Sequence, residues 1–189
     1  MMTAEQMTAV SRGRTLDRFT VPEERVHVPG GGLSRIDIDR ACAAGRREAG
    51  RFTGWAPADL AVFLGVVLTD AAWSAGLPAL ILFAETEIRS RSVTLNEAAI
   101  DEAALSLREL PQAGPWRERS RIRTVVLAHE LYHVASRRSG RRSAEIEAHA
   151  FARQLTGMPF SPLLYEWAVR STRALDPKQY PRAAAAAKG

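Results

Sequence analysis

The sequence predicts one α+β domain, mostly helical, with a small mixed β-sheet packed on a central helix. Three observations carry that prediction. Hydrophobic residues make up 46% of the 189 residues, enough to bury a sizeable single core. Apolar residues recur at helical spacing in several segments bounded by serine, proline and glycine. Between those segments, "ALILFAETEI" and "RSVTLNEA" gather β-branched and aromatic residues over strand-length runs.

Residues 1–33 mix charges with Pro22, Pro29 and Gly30-Gly31-Gly32 and read as a flexible leader ending in a linker. The domain is expected over residues 34–182, followed by a frayed tail, 183–189. Ser34 caps a first helix running to about Gly50, with Asp37 and Asp39 in its first turn and Ile36, Ala43 and Ala44 facing inward. Pro57 suits the first position of a second helix, which runs into "ADLAVFLGVVL"; the following "GVVLTDA" reads equally well as a buried strand. The two strand-like runs come next, the second alternating at Val93 and Leu95, and together they make a sheet with one exposed edge. A helical patch around residues 101–110 is broken by Pro111, Gly114 and Pro115. A long helix then spans about residues 116–138 and stops at Ser139-Gly140, and another runs from about Ser143 to Thr156, ending at Gly157 and Pro159.

Composition narrows the function classes. Cys42 is the only cysteine, so an intramolecular disulfide is impossible and the side chain is expected to pack as a small apolar group. The N-terminal stretch lacks the apolar core of a secretory signal. The best candidate for a membrane span, residues 60–84, contains Asp70, Gly76 and Pro78. A charge near the middle of a span costs about 2.5–3.5 kcal/mol, so a cytoplasmic protein without a membrane partner is expected. The net charge is +5, and 24 of the 26 basic residues are arginine. Clusters at Arg117, Arg119, Arg121 and Arg123 and at Arg137, Arg138, Arg141 and Arg142 are expected to be solvated helix ends rather than a nucleic-acid site.

The chemistry concentrates in "VVLAHELYHVASRRSG". His129, Glu130 and His133 form an HExxH pattern, which arises by chance in a chain of this composition only about 0.6% of the time. Residues four apart lie on one face of a helix, so both imidazoles can reach one zinc ion, and Glu130 beside them can take a proton from water held there. The apolar flanks Val125, Val126, Leu127, Leu131 and Val134 place the motif on a mostly buried helix, where unpartnered polar groups are expensive. A catalytic zinc takes a third protein donor. "SAEIEAHAFARQL" supplies either Glu145 or His149, which share a helix face, whereas Glu147 points elsewhere. Tyr132, His149 and Tyr165 are candidates for a group that supports a ligand or stabilises an oxyanion.

"HELYH" followed by "EIEAHAFARQLTGMP", with the strand "SVTLN" upstream, resembles the ImmA/IrrE zinc metallopeptidases. The resemblance extends from about residue 80 to residue 159 and implies a zincin-like domain whose sheet packs on the HExxH helix. It implies His129 and His133 as zinc ligands, Glu145 as the third, Glu130 as the catalytic base, and a protein or peptide substrate such as a transcriptional repressor. The chain departs from the family pattern at three places. His149 stands where Asn or Asp is usual, Tyr132 replaces a usual glycine, and "LTGMP" is one residue longer than the common spacing. The spacing after His133 excludes the metzincin pattern, since Ser136 and Ser139 occupy its further positions.

Two other classes stay open: a zinc-binding interaction protein that cuts nothing, and a DNA-binding regulator. "DLAVFLGVVLTDAAWSAG" has the outline of a helix-turn-helix. Its supposed recognition helix offers Thr69, Asp70, Trp73 and Ser74 but no Arg, Lys, Asn or Gln to read base edges, so a buried element is expected there instead.

Overall fold

A computed structural model describes residues 33–73, 81–108, 110–136 and 143–175. The leader before residue 33, the tail 183–189, the Ser139-Gly140 turn and the Arg137 to Arg142 cluster lie outside these. The described residues form six α-helices and a three-stranded mixed sheet, the α+β architecture expected from the sequence.

Helix α1 (Arg35–Gly50) starts where Ser34 accepts a hydrogen bond from the Asp37 backbone N–H. Its inward stripe is Ile38, Ala41, Cys42, Gly45 and Ala49, spaced for a helix face. Ile36 does not face inward as expected: it lies 62% exposed, because the stripe that meets the rest of the molecule starts half a turn later. Cys42 is buried against Ile146 and Ala150, as its apolar reading anticipates.

Helix α2 (Pro57–Phe63) begins at its proline and is followed by Gly65 in a left-handed turn. The chain then enters strand β1 (Val67–Ala71). "DLAVFLGVVLTDAAWSAG" therefore holds a helix and a strand rather than two helices, up to the last described residue, Trp73. β1 is also not the buried element expected, since it lies at the sheet edge with Val67 60% exposed.

Strands β2 (Ala84–Glu87) and β3 (Ser92–Asn96) pair antiparallel, and β3 pairs parallel with β1, so β3 is central in the order β1-β3-β2. Among the described residues, β1 and β2 each leave one side without a strand partner. Val93 and Leu95 on β3 are fully buried, as their alternation predicts. The buried Asn96 donates to the carbonyls of Trp73 and Leu82 and accepts from the Ala99 N–H, capping helix α3 (Glu97–Ser106). That side chain ties the end of the sheet to the helix after it.

After a 3-10 helix (Pro111–Arg117), helix α4 (Arg119–Ser136) crosses the centre of the molecule. Ile122, Val125, Leu127, Ala128, Leu131 and Tyr132 bury it on nearly every side, the signature of a core helix. The basic cluster at its start is occupied within the molecule. Arg119 pairs with Glu97 and Asp101, Arg123 pairs with Glu97 and Asp70, and Arg121 lies over the Trp116 ring.

Helix α5 (Ala144–Thr156) packs between α4 and α1 and ends at Gly157 in the left-handed conformation. Helix α6 (Leu163–Leu175), for which the sequence reading has no counterpart, buries Leu164, Ala168 and Val169 in the main core.

The α1–α5 contact is unusually close. A methyl group added at Gly45 lies 2.1 Å from the Glu147 carbonyl oxygen, which is backbone and cannot swing aside. Gly45→Ala should therefore destabilise the protein by about 1–3 kcal/mol, because overpacking outweighs a helix-propensity gain of at most about 1 kcal/mol. Urea denaturation reads the change, and an unchanged or higher midpoint would show that the helices part without cost.

Candidate metal centre

His129 and His133 come from one face of α4, one turn apart, with their ring centroids 5.1 Å from each other. Glu145 comes from the first turn of α5, where a carboxylate also suits the helix dipole. The three donor groups meet between the helices. His129 Nε2 is 3.2 Å from Glu145 Oε2, His133 Nε2 is 3.5 Å from Glu145 Oε1, and the two Nε2 atoms are 3.3 Å apart.

Hydrogen bonding alone leaves at least one of the three close approaches without an attraction. Each imidazole nitrogen either carries a proton or exposes a lone pair, and a carboxylate only accepts. Any choice of tautomers leaves one pair of like poles facing. A single cation relieves the conflict, since it attracts all three lone pairs together. Tetrahedral zinc with bonds of about 2.0–2.1 Å separates its donors by roughly 3.3–3.4 Å, and the observed spacings bracket that value. The donor set of two imidazoles and one carboxylate fits zinc.

The local charges agree with the geometry. Burial works against a charge on His129, but the hydrogen bond it donates to Glu145 and the charges of Glu130 and Glu145 prevail and raise its pKa. The hydrogen bond accepted from His129 holds the Glu145 carboxyl down to about 2 against the opposing effect of burial, with help from the charges of His133 and His149. Glu145 is thus ionised throughout the neutral range, as a ligand must be.

Glu130 lies beside the cluster, and its Oε2 accepts a hydrogen bond of 2.7 Å from Thr86 Oγ1 on β2. The sequence reading missed Thr86, and a threonine in a strand carries no signal that could have found it. His149 is brought to the cluster, its ring centroid 4.7 Å from that of His129, but it is not one of the three groups whose donor atoms converge. Burial and the neighbouring His129 hold its pKa down to about 3, so the ring is neutral.

The hydroxyls of the two tyrosines have hydrogen-bond partners outside the three converging groups. Tyr132 is buried, and its hydroxyl donates to the carboxylate of Glu147. Glu147 points away from the cluster, as expected, and also accepts from Ser143 Oγ at 2.8 Å. Tyr165 is buried, and its hydroxyl donates to the Trp116 carbonyl at 3.2 Å. Trp116 precedes α4, while His129 lies ten residues into that helix from Arg119, about 15 Å further along its axis.

No protein-family model, curated protein or solved structure matches the chain, so the reading of the site rests on its own geometry. No helix among the described residues is long and apolar enough to cross a membrane.

The ionisations set how the metal-free protein responds to acid. Glu145 contributes stability that is complete above its ordinary 4.5 and lost as pH falls through about 2. His149 stays neutral in the fold while the unfolded chain gains a proton below 6.5, so it lowers stability as pH falls from 6.5 to about 3. His129 acts above that range, since a raised pKa gives stability that is full below 6.5 and lost as pH rises through the raised value. The urea midpoint of chelator-treated protein should fall between pH 6.5 and about 3, and His149→Asn should flatten that fall. An equally steep fall in the variant would remove His149 as its source.

Proposed function

We propose that the chain is a zinc-dependent metallopeptidase that hydrolyses peptide bonds, of the ImmA/IrrE type its motifs resemble. The observation that carries this reading is the convergence of His129, His133 and Glu145 at separations suited to one zinc ion, with Glu130 alongside.

His129, His133 and Glu145 would hold the ion. Bound zinc supplies Lewis acidity, which makes water more acidic and polarises a carbonyl. Glu130 takes a proton from the attacking water at its carboxylate and delivers it to the departing amine. Thr86 holds one oxygen of that carboxylate at 2.7 Å, which restricts its rotation and leaves the other oxygen for the proton. An extended peptide has a place to lie, because among the described residues the outer edge of β2 pairs with no strand. Added there, the peptide would run beside Thr86 and the α4 residues that β2 packs against. The resemblance points to a regulatory protein, such as a transcriptional repressor, as substrate.

The test combines metal analysis with a quenched-fluorescence peptide library. The purified protein should carry one zinc per chain, and Glu130→Gln should keep that zinc while cleavage falls by about 10²–10⁴-fold. His133→Ala should lose the metal and, with it, stability. Cleavage by Glu130→Gln at the wild-type rate would end the peptidase reading.

Thr86→Val should lower kcat several-fold with KM little changed, and Thr86→Ser should restore it. A loss confined to KM would place Thr86 in substrate binding instead.

A further inference from the structure

We propose that His149 is a fourth protein donor to the metal held by His129, His133 and Glu145. The inference rests on the metal-binding reading above and extends it to a residue that the three-donor set leaves out.

The helix pair has a simple symmetry. His129 and His133 are four apart on α4, and Glu145 and His149 are four apart on α5, so each helix turns two donors toward the other. Three of these four converge, and the fourth lies next to them, its ring against that of His129 at a centroid distance of 4.7 Å and an interplanar angle of 53°. His149 Nδ1 is buried and has no hydrogen-bond partner. A polar nitrogen sealed in this way is costly unless something else engages the ring. Coordination through that nitrogen would engage it once the ring turns toward the other three donors, with which it does not converge as it stands, and imidazole is as good a zinc donor as the two already present. Asn or Asp at this position would steady a ligand through a hydrogen bond, whereas His149 has the means to bind directly. Zinc accepts five donors, so a site with four protein groups still keeps a position for solvent.

Zinc K-edge X-ray absorption on the intact zinc-loaded chain counts coordinated imidazoles directly. Three in the wild type and two in His149→Asn are expected, with zinc affinity in a competitive chelator titration falling by about 100-fold or more. A residue that only steadied a ligand would lower affinity by about 10–100-fold and leave the count unchanged. Two imidazoles in the wild type would overturn the inference, even if the variant proved unable to fold. A wild type that takes up no zinc would fail both this inference and the metallopeptidase reading. Zinc held through His129 and His133 alone would fail only the present one.

Discussion

The burial of Glu147 constrains the rest of the site. Only 6% exposed, this carboxylate must find hydrogen-bond donors inside the protein, and it finds them in the Tyr132 hydroxyl and Ser143 Oγ. Ser143 stands at the start of α5 and Glu147 within it, while Tyr132 belongs to α4, so the Tyr132 hydrogen bond ties the two helices together and the Ser143 contact stays within α5. Glu145 is two residues from Glu147 and therefore about 200° round the helix. With Glu147 held to Tyr132, Glu145 occupies another part of the α5 surface, where its carboxylate meets His129 and His133. A slip of one residue along α5 would turn the third donor away by about 100° and leave an ion bound by one helix alone.

The neighbouring elements hold that helix pair from both sides. On one side, the bare backbone at Gly45 lets α1 press on α5 at the Glu147 carbonyl, so the residue that sets the register is itself backed by a helix. On the other, the sheet supplies Thr86, which engages Glu130 from β2. β2 is positioned by its antiparallel pairing with β3, and β3 is closed off by Asn96, whose amide holds Leu82 just before β2 and whose oxygen caps α3. Glu130 thus shares α4 with His129 and His133, and only the hydroxyl that engages it comes from the sheet. This separates the tasks physically. α4 and α5 decide where an ion can sit, while the sheet decides how one carboxylate beside it is turned.

Legibility in the sequence followed the range of the interaction. The HExxH face was readable because both imidazoles and the base sit within five residues, where helical geometry alone determines their relation. The choice between Glu145 and His149 was not, because residues four apart share a face and only the packing of α5 on α4 separates them. Ile36 was misplaced for a similar reason: one apolar residue near a helix end does not define the face, and the stripe through Ile38, Cys42 and Gly45 does. The apolar run "GVVLTDA" gave no sign that β1 would lie at an edge, since an edge position depends on which strands form, not on the strand itself. Thr86 and Glu130 are 44 residues apart, and no local pattern announces their contact. Tyr132 and Tyr165 were candidates because a tyrosine can donate. Their hydroxyls meet Glu147 and Trp116, partners that only the fold reveals.

The departures from the ImmA/IrrE pattern are intelligible together. Where the family has glycine, Tyr132 fills core volume and brings a hydroxyl to the buried Glu147, so the larger side chain is matched by an acceptor from the facing helix. Where Asn or Asp is usual, His149 lies against the His129 ring. The extra residue of "LTGMP" falls beyond the last turn of α5, where Gly157 caps the helix in the left-handed conformation and Met158 returns to the core. With all three departures in place the donor atoms of His129, His133 and Glu145 converge, and that convergence depends on the register between the two helices. Polar partners across the α4–α5 seam are what keep it here, which is why the bulky substitution at position 132 is compatible with a site whose donors still meet within 3.5 Å.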